Sequence, residues 1–193
     1  MKYPHFWVAA TRHRKRIYST LFILILAVLT TITGTMFPLS EQDALEVYKS
    51  LNQTVEQGLE NETLIQDIFV NNFSLALLMF IPIVGLFFGL YVLFSTGQAF
   101  RAIFDIQIAN GIQASAVDIS AEVAILSLAA VGLVFLLEYA SYAIGMTESI
   151  WLARRLWQRR WRELKWTALL IGTVALLLII GAIVETYTLS IGI

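Results

Sequence analysis

The sequence predicts an all-α fold: a polytopic membrane helical bundle with four main hydrophobic segments, at least one of them broken or re-entrant. Three observations predict it. First, 58% of the 193 residues are hydrophobic and only 14% are charged, where soluble domains carry about a quarter charged residues. A soluble chain this short could not hide so much apolar surface, so its solvent is lipid. Second, the apolar residues fall into long runs of helical length. Third, the two basic clusters sit at positions that a simple count of those runs cannot reconcile.

Residues 1–16 form a basic tail ending in Arg12, Arg14, Lys15 and Arg16. The uncharged run 17–39 follows, and about 20 apolar residues cross a bilayer as a helix. A secretory signal is the competing reading. Its apolar region would be too long here, and Thr33–Pro38 is a poor cleavage site, so 17–39 is expected to be an uncleaved span. Residues 40–67 change character, with seven acids and the single base Lys49. Leu45, Tyr48, Leu51, Val55 and Leu59 recur at three to four residues, which predicts an amphipathic helical loop on the extracytoplasmic side. The next run, 68–104, contains Asn71, Asn72, Pro82, Gly85, Gly89 and Gly97; a proline there removes a helix hydrogen bond and kinks the chain.

Residues 105–120 are polar and small, with a turn signal at Asn110-Gly111. The run 121–150 is longer than one crossing needs and holds Glu138, which predicts a broken or tilted span. Residues 150–166 carry Trp151, Trp157, Trp161 and Trp166 beside Arg154, Arg155, Arg159, Arg160, Arg162 and Lys165. Tryptophans against arginines predict an interfacial helix in the headgroup layer, with anionic lipid as its partner. Nucleic acid is not expected. The last span is 167–191.

Lysine and arginine in short loops stay cytoplasmic. Both basic segments therefore belong inside, and an even number of crossings must separate them. Hydropathy supplies three runs, 17–39, 68–104 and 121–150. Either the positive-inside bias fails here and the plain four-helix count stands, or, as the favoured expectation, one run folds back, at Pro82–Gly85 or at Glu138, with Glu138 slightly favoured. The N-terminus is then cytoplasmic and the C-terminus extracytoplasmic.

Ionisable groups inside spans cost at least about 2.5 kcal/mol at a helix centre and are default functional candidates. Glu138 leads, as a protonatable or cation-binding carboxylate, against the alternative of capping freed backbone. Glu185 reads as structurally paired near the outer interface, and Glu122 as an interfacial acid favoured by its helix dipole. Asn71 and Asn72 offer interhelical hydrogen bonds, and Arg101 is a natural partner for Asp105 or a buried Glu. Gly85, Gly89, Ala76 and Ala99 are small enough to let helices approach closely. There is no Cys, and both histidines lie in the tail. No nucleophile with an adjacent base, phosphate loop or metal-ligand spacing stands out, so neither catalysis, a metal nor a cofactor is expected.

The segment Ile68-Phe69-Val70-Asn71-Asn72-Phe73-Ser74-Leu75-Ala76-Leu77, with Gly85-Leu86-Phe87-Phe88-Gly89 and Thr96-Gly97 after it, resembles the Asn-Asn and glycine helix of the stage II sporulation protein M family. Leu137-Glu138-Tyr139-Ala140-Ser141-Tyr142-Ala143 is similar to the family's Glu-and-small-residue signature, and Ile183-Val184-Glu185 to its terminal Ile-Glu pair. The likeness spans roughly residues 17–190. It departs where family members often carry His-Gly before the central Glu; Val134 and Phe135 stand there. The resemblance implies a multi-pass protein of a prokaryotic cell membrane. Two roles are expected: a small permease or channel component of an envelope complex, as a homo-oligomer or with other membrane proteins, or a scaffold that recruits them.

Overall fold

The computed structural model describes residues 8–109, 121–161 and 164–190. Six helices account for them: α1 Arg12–Thr35, α2 Glu41–Glu60, α3 Leu64–Met79, α4 Val84–Ala109, α5 Ala121–Trp157 and α6 Leu164–Ser190. No strand occurs among the described residues, and the fold is an all-α bundle. Helices α1, α4, α5 and α6 are long and apolar enough to cross a membrane. Large apolar side chains such as Phe22, Ile25, Phe87, Leu176 and Ile180 point outward on these helices. That surface is stable only against lipid.

Helix starts follow local chemistry. Thr11 caps α1, its Oγ1 accepting from the Arg14 amide at 3.4 Å, and Ser40 caps α2 by accepting from the Asp43 amide at 3.2 Å. Each satisfies an amide that the first helical turn leaves unpaired.

The two ends of the bundle differ in charge. At the basic end, Arg16 of α1 meets Glu148 of α5 at 2.6 Å, and Arg12, His13, Lys15 and Arg16 share a cavity with Arg154, Arg155 and Arg160. At the acidic end, α2 lies over the first turns of α3, the middle of α4 and the last turns of α6: its Leu51, Thr54 and Val55 line one cavity with Leu64, Thr96, Thr188 and Leu189.

The run 68–104 folds back. Helix α3 enters from the acidic end, the chain turns at Phe80–Ile83, and α4 returns to the acidic end. The tip sits beside Ser149, whose Oγ donates to the Ile81 carbonyl at 2.8 Å, one residue from Glu148. On its way back α4 passes Met146 at Gly89 and reaches the end of α1, where a Cβ on Gly97 would lie 2.1 Å from the Thr31 carbonyl oxygen. Gln98 then donates to the Phe37 carbonyl at 3.1 Å. From Val84 to Gly97 the chain climbs about 20 Å at 1.5 Å per residue, so the hairpin penetrates most of an apolar core of about 30 Å. The remaining turns of α4 project past the acidic end, where Arg101 and Asp105 pair in solvent at 2.7 Å.

The turn has a local cause. Pro82 has no amide to continue the α3 ladder, and Ile83 takes φ 66°, rare for a β-branched residue. Gly85 then restarts the helix under Met79, where a Cβ would lie 2.1 Å from the Met79 carbonyl oxygen.

This placement corrects the favoured expectation for 121–150. Helix α5 is continuous for 37 residues and has no break at Glu138. A glutamate leaves the backbone ladder intact, whereas proline cannot; the fold-back is therefore at Pro82. At about 55 Å, α5 is longer than the apolar core and projects from both ends. A second correction concerns 150–166, which is not one interfacial helix. Helix α5 runs on to Trp157, the chain turns with Arg159 at φ 54°, and α6 begins at Leu164. The tryptophan and arginine faces thus belong to the junction of a helical hairpin.

Ile23 and Ala27 of α1, Ala76 and Met79 of α3, Leu93 of α4, Ala143 and Met146 of α5 and Leu178 of α6 meet in one buried core. Close approach is set by small residues. Gly34 and Gly97 bring α1 and α4 into backbone contact, and Gly145 sits against Met79 and the Ala76 carbonyl, as small residues do between membrane helices.

Candidate functional site: a carboxylate cavity between the helices

Where α3, α4, α5 and α6 splay beneath α2, a cavity of about 460 Å³ opens on the acidic-end half of the bundle. Its polar lining comes from Thr54 of α2, Asp67, Asn71 and Asn72 of α3, Thr96 of α4, Glu138, Tyr139 and Tyr142 of α5, and Glu185 and Thr188 of α6. The helical period places Glu138 and Tyr142, four residues apart, on one stripe of α5, and that stripe faces α3.

Asn72 is the hub. Its Nδ2 donates to Glu138 Oε1 at 2.6 Å, and its Oδ1 accepts from Tyr142 OH at 3.0 Å and from Asn71 Nδ2 at 3.3 Å. Tyr139 points the other way and donates to Thr31 Oγ1 on α1 at 2.8 Å; Thr31 passes its own proton to the Ala27 carbonyl at 3.2 Å. The network ties α3 and α1 to α5. Buried polar side chains at this depth stabilise only when paired.

Glu185 breaks that rule. Its Oε2 is buried with no hydrogen-bond partner among the described residues. No lysine, arginine or histidine among the described residues lines the cavity. Three carboxylates therefore line one largely apolar chamber: Asp67 at its rim accepts from Thr63 at 2.8 Å, while the deeper Glu138 has one amide donor and Glu185 Oε2 has none. Two ionised carboxylates in that setting are mutually repulsive and poorly solvated, so the cavity is chemically suited to take up a proton or a cation. Among the described residues no group of three or more His, Cys, Asp or Glu side chains is arranged to hold a metal ion.

The structure brings Glu138, Glu185, Asn71 and Asn72 together and places the other candidates elsewhere. Arg101 pairs with Asp105 outside the cavity. Glu122 falls in the first turn of the described part of α5, and its side chain lies outside the described residues. Trp151, Arg154, Arg155, Arg160 and Trp166 gather at the basic end; Trp157, at 92% exposure, and Trp161 face outward there with Arg159. Arg162 lies outside the described residues.

A second polar cluster was not singled out from sequence. Glu148, 1% exposed, accepts from Arg16 at 2.6 Å, from Thr167 at 2.6 Å and from Arg155. Arg155 also donates to Thr167 Oγ1 at 3.1 Å. One carboxylate thus pins α1, α5 and α6 at the basic end. The signal was there: Glu148 and Arg155 are seven residues apart, two turns along one face of a helix. Reading 150–166 as a separate interfacial helix hid it.

Comparison with family models, with curated proteins and with solved structures gave no match to this chain.

Proposed function

We propose that the protein is a small membrane transport component in which Glu138 and Glu185 bind a proton or a monovalent cation entering from the acidic end. The basic end is cytoplasmic on this reading, since the arginines of both basic segments stay inside, and the C-terminus is extracytoplasmic. The observation that carries the proposal is the unpartnered Glu185 carboxylate facing the cavity that also holds Glu138. A purely structural pair would be expected to have its oxygens satisfied. The Pro82 hairpin adds support, because backbone broken at membrane depth is tolerated where it is buried in protein or lines a cavity.

The resemblance to the stage II sporulation protein M family fits this reading, as two residues that carry it, Asn72 and Glu138, are bonded to each other. The unit is proposed to act as an oligomer or with a partner: Ile125, Leu126 and Leu128 are strongly exposed on α5 beyond the level at which α1 ends. The scaffold alternative rests on a separate observation, the exposed Leu45 and Leu59 on α2.

Flux into liposomes tests the two. Wild-type protein, alone or with whatever co-purifies from native membranes, is expected to pass protons, Na⁺ or K⁺ down a gradient. Glu138→Gln and Glu185→Gln are each expected to abolish that flux while the protein stays folded. Absence of any flux from wild type, with Glu138→Gln leaving cellular function intact, would end the transport reading. Cross-linking from α2 to one dominant partner would then favour the scaffold.

A further inference from the structure

The basic end holds a cavity of its own, about 500 Å³ in volume, within the range of small-ligand sites. Six cationic side chains line it: Arg12, Lys15 and Arg16 from α1, and Arg154, Arg155 and Arg160 from the end of α5 and its turn. The sequence around them is poor in acid. Residues 1–40 contain none, and between residues 140 and 180 only Glu148 and Glu163 occur. The six lining bases thus outnumber the two acids of these segments.

The site is built rather than merely basic. Glu148 is buried behind the wall and holds Arg16 and Arg155, while Thr167 braces both Glu148 and Arg155. Arg155 is 4% exposed yet lines the cavity. Its guanidinium is fixed before any ligand arrives, so little conformational entropy is lost on binding. Trp151 stacks beneath Arg16 with the guanidinium carbon 5.6 Å from the ring centroid, which orients a second fork. Trp166, edge-on to His13 at 6.3 Å, completes the lining.

We propose that this cavity binds a phosphate-bearing anion, supplied as the headgroup of an anionic lipid or as a free phosphoryl group from the cytoplasm. Guanidinium forks match phosphate oxygens in pairs, and a surplus of several charges calls for a multiply charged anion. A basic helix lying flat on lipid would attract anions along its whole length. A cavity confines the effect to the residues that line it.

Neighbouring residues Arg159 and Arg160 allow a charge-matched test, because Arg160 lines the cavity and Arg159 is outside it. Purified protein is titrated with pyrophosphate in uncharged detergent, and with phosphatidic acid in nanodiscs of phosphatidylcholine, following tryptophan fluorescence. Saturable binding is expected in at least one arm. Arg154→Gln and Arg160→Gln should each weaken it about five-fold, the loss anticipated for one base at a membrane surface, and Arg159→Gln less than about two-fold. Binding of pyrophosphate alone identifies a soluble phosphoryl ligand, binding of phosphatidic acid alone a lipid headgroup, and binding of both the shared phosphate chemistry. Equal weakening by Arg159→Gln, or saturable binding in neither arm, overturns the proposal.

Discussion

Replacing Glu148 by Gln should be among the most damaging single substitutions outside the packed core. The carboxylate receives two guanidinium groups and one hydroxyl, with Arg16 and Thr167 both at 2.6 Å. Hydrogen bonds to charged groups contribute about 1.5–3 kcal/mol each and a neutral one about 1 kcal/mol. Against that gross gain stands the desolvation of a carboxylate that is 1% exposed. After the substitution the desolvated guanidinium of Arg155 keeps its charge and loses the Glu148 carboxylate. Breaking a buried pair from one side costs about 3–5 kcal/mol, roughly two to four orders of magnitude in the unfolding equilibrium. Reversible unfolding in bicelles by steric trapping gives this number directly. A cycle with Arg155→Gln should show coupling of about 1–3 kcal/mol, since the two variants remove the same interaction. The exposed pair provides the scale: Asp105→Asn should cost less than about 1 kcal/mol. A cost for Glu148→Gln as small as that of Asp105→Asn, or an additive double variant, would refute the clamp.

The hairpin and the helix crossings make two further predictions. The chain has no native Cys, so single cysteines report topology without background: Lys49→Cys and Asp105→Cys should label from one side of the membrane and Gln158→Cys from the other, and labelling of Asp105→Cys from the Gln158 side would rule out the fold-back. Gly97→Ala, which puts a Cβ 2.1 Å from the Thr31 carbonyl oxygen, should lower stability by about 1–3 kcal/mol as overpacking does. Gly172→Ala, with nothing within 4 Å, should be neutral or slightly stabilising through helix propensity.

Much of this protein follows from its sequence alone. Lipid as solvent follows from long apolar runs with few charges, because no soluble fold of this size could bury them. The amphipathic character of α2 and the spans at α1 and α6 follow from local periodicity and length. The charge rule required a fold-back somewhere between residues 17 and 150, and it named both places where one could occur. Choosing between them lay beyond composition. Glu138 drew the choice because a charge in an apolar run looks like an interruption, yet Asn72, 66 residues away, supplies the hydrogen bond that lets α5 run through it. Pro82 acts on the backbone itself, and no tertiary partner can restore the amide it lacks.

The candidate site divides in the same way. Glu138, Glu185 and the asparagines were legible one by one, since each polar group in an apolar run stands out against its neighbours. That Glu138 and Glu185 share a cavity, and that Glu185 Oε2 has no partner there, is a property of the packing of α5 against α6. Glu148 went unread for the complementary reason. It was not singled out in the sequence, and only the return of α6 beside α1 buries it and makes it a clamp. The sequence alone determined the solvent, the helices and the need for a hairpin, because those rest on local hydropathy and charge. Tertiary structure decided where the chain turns and which carboxylates are satisfied, because partners distant in sequence supply or withhold their hydrogen bonds.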